Sequence, residues 1–122
     1  MATKAYETMT RQQMEQRLER EKPDNEDRKS GYALVNVLDP DVFEQEHIPN
    51  SINIPKKRID EFEQRFDKSK EIIVYCASPE CTASPDTARE LADRGFVNVF
   101  DYEKGMSDWK DAGDPVAGRK AA

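Results

Sequence analysis

The segment Ile72–Tyr75 (IIVY) is an unbroken run of strand-forming residues that leads directly into Cys76. A strand apolar on both faces needs cover on both faces, which favours a parallel sheet between helices over a half-solvated hairpin. The neighbouring segments agree. Ala33–Leu38 (ALVNVL) is a strand broken by one polar residue, and Ile52–Ile54 and Val97–Phe100 are shorter ones. Between them lie helix signals. Asp39 and Pro40 form a cap-plus-proline start for a short helix ending near Glu46. Ile59, Phe62 and Phe66 recur at helical spacing. Ser84-Pro85-Asp86 opens another helix that buries Ala88, Leu91 and Ala92 and stops at Gly95. Ser107–Asp111 reads as a last short helix. Strands alternating with helices through short connections predict an α/β fold, a mainly parallel central sheet flanked by helices through right-handed crossovers.

The chain has 122 residues, the size of one domain. Tyr6–Thr8 reads as an edge strand, and Thr10 with Gln13 as a capping box opening a peripheral helix to about Arg20, with Met14 and Leu18 one turn apart. Glu21–Ser30 (EKPDNEDRKS) contains no apolar residue and is expected to be an exposed, mobile loop. Residues 1–32 thus form an N-terminal edge strand, helix and charged loop, residues 33–117 the core, and residues 118–122 a flexible tail.

Charged residues make up 36% of the chain and its net charge is −6. That balance argues against nucleic acid or an anionic membrane as a partner, since both require a basic surface. No apolar run approaches the roughly 20 residues of a membrane span, and residues 1–4 lack a signal peptide's apolar stretch. A cytoplasmic location is the expectation, with both cysteines held as thiols. Two cysteines and one histidine make a poor zinc set, so no metal is expected, and no cofactor either.

Cys76 is the residue with chemistry. It stands at the carboxyl end of a parallel strand, where α/β sheets bind ligands, on a loop feeding a helix N-terminus. Inward amides and the helix dipole would stabilise a thiolate there and lower the thiol pKa. The competing reading is an inert cysteine that merely ends a buried strand. His47, the single histidine, is expected to be structural and Trp109 to belong to the core. Asp101 and Glu103 fall past a strand end and could flank the site, although solvated surface is the plainer reading.

Leu34–Leu38 (LVNVL), Glu46–Pro55 (EHIPNSINIP), Ile73–Cys76 (IVYC), Ala88–Leu91 (AREL), Gly95-Phe96, Gly105–Trp109 (GMSDW) and Gly113–Val116 (GDPV) follow one another in order. In that combination the chain resembles the rhodanese family over about residues 30–117. The resemblance implies a sulfurtransferase whose loop cysteine takes up a sulfane sulfur as a persulfide and passes it on. The donor would be a small sulfane-sulfur compound or a protein persulfide, and the acceptor a thiol. By position, Cys76 is the nucleophile and the amides of Ala77, Ser78, Glu80, Cys81 and Thr82 form the cradle, while Pro79 has no amide hydrogen.

The departures set this chain in a divergent branch. Asn36-Val37-Leu38 stands where the family has Asp-x-Arg, so neutral contacts are expected in place of a buried charge pair. Glu46, Asn50 and Lys104 replace glycines. Cys81 occupies the loop position where many rhodaneses carry arginine. Phosphatases and arsenate reductases of related fold need that arginine to grip their oxyanion, and residues 77–84 hold no cation, which argues against both. For the same reason thiosulfate, a dianion, is expected to be a weak donor. Two other readings stay open: a thiol–disulfide or persulfide reductase in which Cys81 resolves Cys76, and a binding module without turnover.

Overall fold

The computed structural model describes residues 6–120. Five strands form one sheet: β1 (Glu7–Thr8), β2 (Tyr32–Asn36), β3 (Ile52–Asn53), β4 (Glu71–Tyr75) and β5 (Val99–Tyr102). Their order across the sheet is β1-β5-β4-β2-β3 and every pairing is parallel. The most apolar segment of the chain, β4, is therefore central, which is where its two-sided hydrophobicity is satisfied. The helices are α1 (Arg11–Arg20), α2 (Pro40–Gln45), α3 (Asp60–Arg65), α4 (Ala83–Asp93) and α5 (Gly105–Asp111). The segment with Ile59, Phe62 and Phe66 at helical spacing forms a 3-10 turn at Lys56–Arg58 followed by α3.

Strand alternation sorts the core into two layers. Ala33, Val35, Ile72, Val74, Cys76 and Val99 face the side covered by α3 and α4, where Phe62, Phe66, Ala88 and Leu91 pack on them. Leu34, Ile73, Tyr75 and Tyr102 face the other side, under Met14 of α1 and Met106 and Trp109 of α5. The capping box of α1 forms as expected. That helix is held by fully buried Met14 and by Arg17, which grips the Glu71 carboxylate with two bonds of 2.5 and 2.8 Å and lies 4.3 Å over the Tyr32 ring.

The charged loop differs from its expectation. Glu21–Ser30 is largely exposed, but it is wrapped around a buried cation. The Lys70 side chain is inaccessible, and its Nζ donates to the carbonyls of Asp24, Asp27 and Ser30 at 2.8, 2.7 and 2.5 Å. The Asp24 and Asp27 side chains accept backbone amides two and three residues ahead, which curls the loop so that its carbonyls converge. An apolar count misses such an element, because what it buries is the end of a lysine from elsewhere. The closing residues are also tied down. The amides of Arg119 and Lys120 donate to the carbonyls of Glu44 and Gln45, where a free tail is the expectation from sequence; residues 121–122 lie outside the described residues.

Replacing Lys70 with methionine keeps the stem but leaves three carbonyls without their donor. The expected cost is about 2–4 kcal/mol in urea unfolding, the range for losing charge-assisted bonds in a buried site. Amides of residues 24–30 should also lose exchange protection while those of β4 keep theirs. Unchanged stability would show that the loop does not depend on Lys70.

Candidate active site

Cys76 follows β4 directly, and alternation aims its side chain at the α4 side, in line with Ile72 and Val74. It is fully buried. Its thiol donates to the Ser84 hydroxyl at 3.3 Å, with a longer contact of 3.6 Å to the Cys81 carbonyl. The helix start explains Ser84. The cap-plus-proline signal places Ser84 outside the helix, but α4 begins at Ala83 with Thr82 as its uncapped N-cap. Ser84 is thus the second helical residue and Pro85 the third, where a missing N–H costs nothing. Freed from capping, the Ser84 hydroxyl turns inward to the sulfur.

The remaining loop residues are distributed unevenly. Ala77, Glu80 and Thr82 are exposed, while Ser78 and Cys81 are half-buried. The Cys81 amide closes a turn on the Ser78 carbonyl at 3.0 Å, so it is spent within the loop. The amide that acts on the sulfur is Ser84's. Cys81 is a free thiol whose side chain packs against the cluster containing Cys76.

The expected lowering of the thiol pKa is not what this geometry gives. Burial pushes the Cys76 thiol up to about 11, the Cys81 side chain pushes the same way, and the Ser84 hydroxyl and amide oppose them. A loop closed tightly over the sulfur excludes the water that a thiolate needs, and one helix terminus does not replace it. At rest Cys76 is a thiol.

The backbone at Cys76 is clamped from the opposite side. The Met106 amide donates to the Cys76 carbonyl at 2.9 Å and the Ser107 amide to the Ala77 carbonyl at 2.8 Å. Gly105 allows this approach: its φ is +65° and a β-carbon there would lie 2.4 Å from the Cys76 carbonyl oxygen. The motif Gly105–Trp109 is thus the support of the cysteine loop, whereas the sequence shows it only as a landmark.

Asp101 is the residue that sequence reasoning misplaces. Its strand was expected to end at Phe100, which leaves Asp101 in a solvated loop; β5 instead runs Val99–Tyr102. Asp101 then sits inside the sheet, opposite Val74 in register and on the α4 side with Val99. It is fully buried and neither carboxyl oxygen has a partner in hydrogen-bond geometry. Burial pushes its pKa up to about 6; the Ser84 hydroxyl pulls it down and Glu103 pushes it further up. The Ser84 hydroxyl thus holds down the pKa of both buried acids, Cys76 and Asp101.

Other candidates fall into structural roles. His47 stacks on Phe43 with centroids 3.9 Å apart, bonds the Phe43 carbonyl through Nδ1 at 2.7 Å, and bridges to Ala117. Trp109 is buried, with its indole N–H donating to the Pro115 carbonyl. Asn36 Oδ1 accepts the Leu38 amide at 2.9 Å, and nearby Tyr75 OH meets Ser51 Oγ at 2.8 Å and accepts the Ile48 amide. Outside the loop, a groove of about 530 Å³ runs past Val37, Leu38, Lys56, Lys57 and Ala83. It brings two lysines to the flank of α4, but Lys56 is paired with Asp86 at 3.0 Å.

Residues 10–112 match the family described as Rhodanese-like domain. The chain belongs to that family. Among its relatives, the thiosulfate sulfurtransferase GlpE of Coxiella burnetii (strain RSA 331 / Henzerling II) is 30% identical over 83 residues, 68% of this chain and 76% of that protein. The thiosulfate:glutathione sulfurtransferase of Saccharomyces cerevisiae is 32% identical over 90 residues, 63% of each chain. Among solved structures, the BH2092 protein of Bacillus halodurans superimposes with a TM-score of 0.79 at 26% identity, covering 95% of this chain and 79% of that one. Within this rhodanese-like domain, and among the described residues, no helix is long and apolar enough to cross a membrane.

A buried carboxylate with a raised pKa destabilises the fold once it ionises. Unfolded, Asp101 ionises near its ordinary value of 3.8; folded, it holds its proton to about 6. Stability is therefore lost as pH rises through that window. Asp101→Asn should gain about 1–3 kcal/mol over wild type at neutral pH, from about two pKa units at 1.4 kcal/mol each. The gain should vanish near pH 4 when urea midpoints are compared at both values. A gain that is the same at both would mean that Asp101 carries no buried charge.

Proposed function

We propose that the protein is a sulfurtransferase that carries sulfane sulfur as a persulfide on Cys76. The observation that supports this reading most is the placement of Cys76: carboxyl end of the central strand, sulfur against the first turn of α4, backbone clamped by the start of α5. The fold family and its sulfurtransferase relatives agree with that chemistry. Because Cys76 is covered, a donor reaches it when residues 77–82 part, and closure then shields the persulfide from water and stray thiols. The acceptor is a thiol that meets the persulfide at the same opening.

Exposure to sulfane-sulfur donors should add the mass of one sulfur atom to the intact protein. Cys76→Ser should abolish that gain, and a variant that still loads at the wild-type rate would remove Cys76 from the role.

Thiosulfate suits this site poorly. Glu80 stands on the loop, Asp101 is buried on the side of the sheet that Cys76 faces, and Lys56 is already neutralised by Asp86. Thiosulfate turnover is expected to be weak at low salt and to rise with ionic strength as repulsion is screened. Glu80→Lys should raise it by about threefold to tenfold, a gain of the size one exposed charge supplies, while an uncharged donor changes little. Robust wild-type turnover with thiosulfate at low salt would contradict this and point to Lys57 as the cation that serves the site.

A second reading has its own observation, the packing of the free Cys81 thiol beside the Cys76 cluster. Cys81 would attack the inner sulfur of the persulfide, release sulfide and leave a Cys76–Cys81 disulfide for a thiol reductant to reopen. Cys81→Ser should then slow sulfide release by about tenfold or more without affecting loading.

A further inference from the structure

We propose that the groove between α1 and the turns at Pro49 and Pro115 is a docking site for an extended basic segment of a partner protein. The segment carries two arginines or lysines separated by one residue. The groove lies on the α1–α5 side of the sheet, away from the Cys76 side chain, so the proposal is independent of the sulfur chemistry.

The groove measures about 570 Å³ and its surface is mostly apolar. Leu18, Trp109, Pro49 and Pro115 supply that surface. Leu18 and Trp109 also belong to the core layer opposite the one that contains Cys76. Both walls are fixed from behind. The Trp109 indole donates to the Pro115 carbonyl at 2.7 Å, and the Asp114 amide donates to the Trp109 carbonyl at 3.2 Å. Across the groove, the Asn25 side chain donates to the Asn50 carbonyl at 2.7 Å. Asn50 itself holds a φ of +70°, at a position where the family has glycine. A site preformed in this way loses little freedom when it fills.

Its charge is one-sided. Glu15, Glu19 and Asp114 line the groove against one cation, Lys22. Behind it, Arg11 is the one basic residue paired with Glu15 among the described residues, at 3.5 Å, and it is shared with Asp108 at 2.9 Å. Asp108 also accepts the Tyr102 hydroxyl at 2.9 Å. Asp114 Oδ2 is buried without a hydrogen-bond partner. In keeping with this crowding, the Glu15 carboxyl is held above its ordinary value, chiefly by Asp114, with Arg11 opposing. A cation entering the groove relieves the repulsion, whereas an anion adds to it.

The spacing of the carboxylates selects the pattern. Glu15 and Glu19 stand four residues apart on one face of α1, about 6 Å along the helix axis. Alternate residues of an extended chain stand about 6.6 Å apart on one face. Two basic residues separated by one therefore meet both glutamates, and their methylene stems cover Leu18 and the prolines. Asp114 meets them from the other wall. Lys22, one turn beyond Leu18, repels a third basic residue and sets where the segment ends.

The probe is the pentapeptide glycine–arginine–leucine–arginine–glycine, acetylated and amidated, titrated into the full chain at low salt. Binding is read from the emission of Trp109, the single tryptophan of the chain, and from amide NMR shifts. Saturable binding is expected, with shifts centred on residues 15–22 and 113–115. It should be about tenfold or more tighter than binding of the same peptide with glutamine for arginine. Raising the salt from about 20 mM to about 300 mM should weaken it by about fivefold or more. Glu19→Gln should weaken it by about twofold to fivefold, the size of one exposed pair, and Lys22→Glu should tighten it by about threefold to tenfold. Both positions are exposed, and equal urea midpoints would show that the fold is kept. Cys76→Ser should bind the peptide as wild type does, whatever the fate of the sulfur-carrier reading.

Equal binding of the glutamine peptide, indifference to Glu19→Gln and Lys22→Glu, or shifts centred elsewhere would each overturn the proposal. Spermine binding as tightly as the peptide would overturn it in favour of a small cation. A dimer of the chain that shifts the same residues without peptide would overturn it in favour of a second copy.

Discussion

A carboxylate buried without a hydrogen-bond partner on the α4 side of the sheet is the constraint around which this site is built. The cluster on that side of the sheet, from Ala33 and Val35 to Ala88 and Leu91, is otherwise uncharged. Asp101 alone among them carries a formal charge, at a position where valine or isoleucine would stabilise the fold. The helix above it answers with polar residues of its own, Ser84 and Thr87, both fully buried. The α4 layer thus changes character at the carboxyl ends of β4 and β5. It is a hydrocarbon core over most of its length and a small cluster of buried polar groups near Cys76.

The cysteine is held by contacts from two directions. From the α4 side come the Ser84 hydroxyl and amide, aimed at the sulfur. From the other layer the first amides of α5 take the carbonyls of Cys76 and Ala77, an approach that only a glycine at position 105 permits. The two layers therefore meet through the cysteine loop. This arrangement favours a sulfur that is sheltered, fixed in direction and protonated at rest, the opposite of an exposed thiolate open to oxidation. A sulfur donor reaches such a cysteine only when the loop opens.

The β4–Cys76–α4 frame was legible because its signals are local and strong: an apolar run, a cap-plus-proline start, a terminal glycine. The parallel sheet and its two-sided cover follow from the same run. What was not legible depends on where elements begin and end. Moving the end of β5 by two residues carries Asp101 from solvent into the core, and moving the start of α4 by two carries Ser84 from a cap to the sulfur. Periodicity fixes a face only once the boundary is known. Lys70 shows a different limit. Its three acceptors are backbone carbonyls some 40 residues away in sequence, which side-chain identity does not encode.

The most direct measurement is carbon-13 NMR titration of the Asp101 carboxyl and the Cys76 β-carbon in the intact protein. The expected result is an Asp101 carboxyl that ionises near pH 6 while Cys76 stays a thiol beyond about pH 8. An Asp101 titrating at the ordinary value of 3.8, or a Cys76 already thiolate at neutral pH, would contradict it.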